Sequence, residues 1–284
     1  MTLNRSRIFQ GFKYAIYALL TLNIYWFFIE EFAAAGLQFH GGVALGRIIE
    51  AYPATIDTLA WVVLLLMFEL ETYVLHDRHF TKPVVWTLQT VRVISYTFIV
   101  YAFYGYIINL TVFNDVVPLA GVSDLCALVD QWSYSIDLDE YVAITSANCK
   151  SFSSATVFFQ LPGMLAVIDA QGLADSKALA WVDVINAAAW LLVVLVLEID
   201  VRLQERNRFA GAALKTSNAM KVFLYLLLLL AAIYWGVNGD FLDFWDAFLW
   251  LVAFFFIELN VVEWRHEVRT GSRMVKKIIH TCSI

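Results

Sequence analysis

Proline, charge and cysteine are all scarce in this chain, and each scarcity removes possibilities. The four prolines, Pro53, Pro83, Pro118 and Pro162, fall outside the long apolar runs, so those runs can form unbroken helices without the mid-membrane breaks common in transporters. There is no Gly-rich phosphate loop, no nucleophile elbow and no His-Glu-x-x-His pair. That removes the recognisable nucleotide-binding, serine-hydrolase and zinc-protease chemistries. All five histidines lie outside the apolar runs, leaving no membrane haem ligand. His76 and His79 share a basic turn, but two imidazoles without a third ligand read as solvated side chains. The expectation is a non-enzymatic protein with no cofactor, no metal and no nucleic-acid partner.

What is abundant is apolar surface. Charged residues make up 15% of the chain against 61% hydrophobic ones, and the mean hydropathy is +0.69. Six segments, near 12 to 30, 57 to 75, 84 to 108, 181 to 201, 219 to 237 and 243 to 262, reach the ~20 residues needed to cross a bilayer core. The predicted class is an all-α membrane protein of six transmembrane helices plus a small exterior cap. With both termini inside, only Arg47, Lys150 and Lys177 of the 19 basic residues lie outside, as the positive-inside rule demands. This predicts a multi-pass protein of a bacterial inner or plasma membrane, both ends cytoplasmic, with an acidic outer face able to concentrate cations.

The chain also repeats itself. Asp57, Trp61 and Glu69 recur in spacing as Asn186, Trp190 and Glu198, and again as Asp246, Trp250 and Glu258. Ahead of each copy stands a partner segment: Lys13, Tyr17 and Tyr25; Arg92, Tyr96 and Tyr104; Lys221, Tyr225 and, one residue late, Tyr234. The unit is a two-helix hairpin used three times, over 1 to 79, 80 to 208 and 209 to 284, with the cap, 110 to 179, inserted in the second and a basic tail closing the third. Because residues 12 to 30 share this spacing, they read as a first helix rather than a cleaved leader. Three hairpins resemble the mitochondrial carriers in outline, but the proline two residues before an acid that marks their odd helices is absent here.

In the cap, Cys126 and Cys149 would lie in an oxidising compartment and are predicted to form a disulfide, contributing about 3 kcal/mol. Cys282 is expected to be reduced. Residues 157 to 170 are apolar but too short to span, and Pro162-Gly163 interrupts them. They read as cap core, an interfacial segment or a re-entrant one. Asn109-Leu110-Thr111 matches a glycosylation acceptor very close to the membrane. Ser217 or Asn218 is a candidate cap for the fifth helix.

The intramembrane charges carry two readings. Lys13, Arg92 and Lys221 can pair with Glu69, Glu198 and Glu258 as structural ion pairs in the inner leaflet. Alternatively Glu69, Glu71, Glu198, Asp200 and Glu258 form a ring that handles a cation or proton, Glu71 and Asp200 being the better candidates for acids without a structural partner. The three tryptophans read as packing anchors between helices. Apolar mid-membrane sequence favours a non-enzymatic subunit or scaffold of a membrane complex, bound to other membrane subunits or to itself. The alternative is an oligomeric cation channel or transporter.

Overall fold

The computed structural model describes residues 2–254 apart from 40, 72–74, 76–80, 123, 156 and 206–210. Glu258, His76, His79, Cys282 and the basic tail lie outside the described residues.

The chain is mostly helical. The long helices are α1 (Thr2–Gln38), α3 (Pro53–Glu69), α4 (Lys82–Asn114), α6 (Ala170–Glu205) and α7 (Ala212–Asn238), with short helices α2 (Ile48–Ala51) and α5 (Cys149–Phe152); residues 241–254 form α8. Four segments, Gln10–Gln38, Lys82–Asn114, Ala170–Asp200 and Ala212–Asn238, are long and apolar enough to cross a membrane. A fifth, Leu45–Ala51 with Pro53–Glu69, passes the same test but bends by 82°. Pro53 causes the break: it has no N–H to give a preceding turn and sits in the first turn of α3, where none is needed. Large apolar side chains on the outside of the bundle, such as Val222, Phe223, Leu230 and Ile233 on α7, are half exposed or more, as a lipid-facing surface would be.

Successive helices pack side by side, α1 on α3, α3 on α4, α4 on α6 and α6 on α7. On α8, Asp246 accepts a 2.8 Å hydrogen bond from Asn23 of α1, which joins the last described helix to the first. Trp61, Trp190 and Trp250 sit in the bundle core with Leu20, Leu65, Val193, Leu224 and Leu249. Gly105 of α4 makes room for the bent pair: a Cβ there would lie 2.6 Å from the Ile49 carbonyl oxygen and 3.2 Å from Pro53.

Helix ends run past the apolar runs. α4 continues to Asn114, and α6 begins at Ala170, where Asp169 accepts a 2.7 Å bond from the Gly172 N–H and so caps the first turn. The inserted cap is accordingly shorter than 110 to 179. Five short strands form its sheet: β1 (Val117–Pro118), β2 (Ser133–Ser135), β3 (Tyr141–Ala143), β4 (Phe158–Gln160) and β5 (Ala166–Asp169), in the order β1-β4-β5-β2-β3. The apolar stretch 157 to 170 is the β4–β5 hairpin of this sheet, turning at Gly163 with φ 72°, and its Ala166, Val167 and Ile168 are completely buried. It is cap core. Cys126 and Cys149 form a disulfide beside the cap's own core of Leu125, Tyr134, Ile144, Phe158 and Val167.

Ser217 does not cap the fifth long helix. That helix starts five residues earlier, after Gly211, and Ser217 instead donates to Asp200 at 2.7 Å.

Candidate functional site

Where the cap meets the helices, every long helix contributes to one cavity of about 70 Å³. From α1 come Phe27, Glu30 and Glu31; from α3, Asp57, Thr58 and Trp61; from α4, Tyr106 and Asn109; from α6, Asp183, Asn186 and Trp190; from α7, Trp235; and from α8, Asp243, Asp246, Trp250 and Phe254. The cap adds Asp139. Seven of the lining residues are acids, and none of the described lining residues is Lys, Arg or His. Asn109, the glycosylation candidate, is one of the lining residues on α4.

The floor is built from the tryptophan spacing. Trp61, Trp190 and Trp250 meet with ring centroids 6.1, 6.2 and 6.4 Å apart and planes inclined by 57°, 62° and 63°, and Phe254 packs on Trp190 at 4.6 Å. One helical turn towards the cap, at the position four residues earlier, stand Asp57, Asn186 and Asp246. Asp57 has the Trp61 indole and the Tyr106 hydroxyl as hydrogen-bonding neighbours; Asp246 has Asn23 and the Trp250 indole. The Asn186 carbonyl oxygen is fully occluded and has no hydrogen-bond partner among the described residues.

The other acids divide into one with a structural task and a group with no counter-charge among the described lining residues. Glu31 caps the bent helix: its two oxygens accept from the Ala54 N–H at 2.7 Å and the Thr55 N–H at 3.0 Å, and the Thr55 hydroxyl adds a third bond. A carboxylate on a helix N-terminus is stabilised by the exposed N–H groups and the dipole. At the mouth, carboxylate oxygens of Asp139, Asp240 and Asp243 all lie within 4.8 Å of one another. Asp139 is delivered there by the β2–β3 turn, which Asp137 holds by accepting from the Asp139 and Glu140 N–H groups at 3.0 and 2.8 Å. Asp139 is exposed at its surface, but enough protein lies around the carboxyl to desolvate it. That crowding, then the charges of Asp183, Asp240, Glu30 and Asp137, push its carboxyl well above the usual range. Burial, then Asp137, likewise raises Asp240, partly offset by hydrogen bonds from Asp243. Three hard oxygen donors of this kind suit Ca²⁺ or Mg²⁺ in ligand type.

The charges at the opposite end are arranged differently. Lys13, 2% exposed, donates to Glu69 at 2.6 Å, and Tyr14 donates to the same oxygen at 3.0 Å. Arg92 contacts both oxygens of Glu71 at 2.9 and 2.7 Å. Lys221 lies 3.2 Å from Asp200. The base of the third helix thus meets Glu71, and that of the fifth meets Asp200. Glu198, two residues before Asp200 on α6, faces away from α7 and contacts Arg202 one turn along its own helix; its side chain is 52% exposed. Glu71 and Asp200, the two acids expected to be the freest, each have a basic partner.

No protein-family model, no curated protein and no solved structure matches this chain. The functional reading rests on the residues themselves. Of these, the spacing of Asp57, Asn186 and Asp246 ahead of each tryptophan was visible in the sequence; the convergence of Glu30, Asp139, Asp183 and Asp243 on the same cavity was not.

Proposed function

We propose that this chain is a cation-binding integral membrane protein of the channel or transporter class, taking a cation from its cap side into the central acidic cavity. The observation that carries this reading is the lining: seven carboxylates with no Lys, Arg or His among the described lining residues. Carboxylates crowded in a low-dielectric cavity repel one another and attract cations far more strongly than in water. The charged groups at the other end have partners that already offset them, so the cavity is the more favourable place for a ligand.

In this reading the three hairpins surround a common axis, six helices cross the membrane, and the cap and its disulfide face the exterior, with both ends cytoplasmic. The cavity is then an outer vestibule, and the indole cluster closes the axis beneath it. The subunit reading differs in one respect that is easily measured: it needs no cation. Thermal unfolding of the purified chain with and without Ca²⁺, Mg²⁺, K⁺ and tetramethylammonium separates the two. A saturable rise in midpoint with at least one cation, lost in Asp57→Asn/Asp246→Asn, supports the vestibule. No response to any of them, together with a stoichiometric foreign protein after gentle purification from native membranes, supports a subunit instead.

A further inference from the structure

Resting on that reading, we infer that the deep end of the cavity is a site for a small organic ammonium ion, held between the Trp61, Trp190 and Trp250 indoles and the collar of Asp57, Asn186 and Asp246. The geometry has two independent parts. The first is the floor. The three indoles line the cavity with centroids 6.1, 6.2 and 6.4 Å apart, so a cation resting on the floor lies within ~6 Å of the ring centroids, the range over which an indole face attracts positive charge. The second is the collar. Asn186 replaces the acid found at the equivalent position before Trp61 and Trp250, and its carbonyl oxygen is occluded and without a hydrogen-bond partner among the described residues. Beside it, Asp57 and Asp246 add two carboxylates to the cavity lining, the charge complement of an ammonium ion.

The chemistry of the floor selects the class of cation. Ca²⁺ and Mg²⁺ require six or more oxygen ligands, their own waters included, and give them up reluctantly. The indole cluster and Phe254 supply none. An alkylammonium ion is weakly hydrated, brings its own apolar surface, and gains from both an aromatic face and a carboxylate. A cavity of about 70 Å³ has room for several waters or for one such ion in their place. By the same argument, any metal-ion binding would fall on oxygen-only groups such as Asp139, Asp240 and Asp243 rather than on the indole floor, and the two are chemically distinguishable.

The test is calorimetric titration of the full chain in nanodiscs with tetramethylammonium, and separately with Ca²⁺ and Mg²⁺. Saturable tetramethylammonium binding is expected, weakened about threefold to thirtyfold through the series Trp250→Phe then Trp250→Leu as the ring loses its attraction for charge. Trp250→Phe is expected to leave any Ca²⁺ binding at the mouth unchanged. Trp61→Phe serves as the second variant if Trp250→Leu does not fold. Metal binding without tetramethylammonium binding, or tetramethylammonium affinity indifferent to both Phe variants, overturns this inference while leaving the cation-binding reading standing. Absence of binding by every cation overturns both.

Discussion

Replacing Lys13 by methionine tests how the charged end of the bundle is held. Lys13 is 2% exposed and Glu69 5%, their charged atoms are 2.6 Å apart, and the second Glu69 oxygen has no partner among the described residues. Without the ammonium, Glu69 keeps the hydrogen bond from the Tyr14 hydroxyl at 3.0 Å. Deleting one member of a buried pair typically costs about 3–5 kcal/mol, because the other charge stays buried without compensation, whereas apolar replacement of both is often neutral or stabilising. Lys13→Met is therefore expected to destabilise by about 3–5 kcal/mol, and Lys13→Met/Glu69→Met to recover most of that loss. The assay is reversible unfolding in mixed micelles, read as a double-mutant cycle. A Lys13→Met protein within about 0.5 kcal/mol of wild type, or a double variant no better than the single one, would refute the reasoning.

Three further outcomes follow from the geometry. Reducing the Cys126–Cys149 disulfide, which closes a loop of sequence separation 23, should destabilise the cap by about 3 kcal/mol; both thiols should resist alkylation until reductant is added, and free alkylation in native membranes would count against the bond. Gly105→Ala must push the bent pair away, since its Cβ would meet the Ile49 carbonyl at 2.6 Å; a cost of about 1–3 kcal/mol is expected, visible as a lowered midpoint, and an unchanged midpoint would mean that the helices do not approach as closely. Asp139 is held above the usual carboxylate range by desolvation and by Asp183, Asp240, Glu30 and Asp137, so the folded chain retains a proton that the unfolded chain releases. Its presence costs stability increasingly as pH rises from about 4 through the raised value; Asp139→Asn should then match wild type near pH 4 and exceed it near pH 8 without added cations. Equal stability of the two at pH 8 would contradict the crowding argument.

The membrane class and the cysteine pair were legible because each follows from one local property: apolar runs of bilayer length, and two cysteines in one inserted segment. Helix ends were not. α6 extends back to Ala170 because Asp169 caps it, and hydropathy says nothing about caps. The cap sheet was hidden because its strands are two to four residues long, too short for alternation to register. At the site, the rule that intramembrane charges mark function drew attention to Glu69, Glu71, Glu198 and Asp200, each of which meets a base: Lys13, Arg92, Arg202 and Lys221. The acids of the cavity looked like ordinary exterior charge. Only the packing of α1, α3, α6 and α8 around one centre brings Glu30, Asp57, Asp183 and Asp246 together with no base among the described lining residues. Asp57, Asn186 and Asp246 carried the one usable signal, a fixed four-residue offset from tryptophans that themselves converge.

The most direct test of the central claim is equilibrium binding of cations to the purified chain, measured side by side for wild type and Asp57→Asn/Asp246→Asn. The account predicts one saturable cation per chain in wild type and its loss in the double variant while the fold, checked by thermal unfolding, is retained. Cation binding that is absent in wild type, or identical in the two proteins, would contradict it.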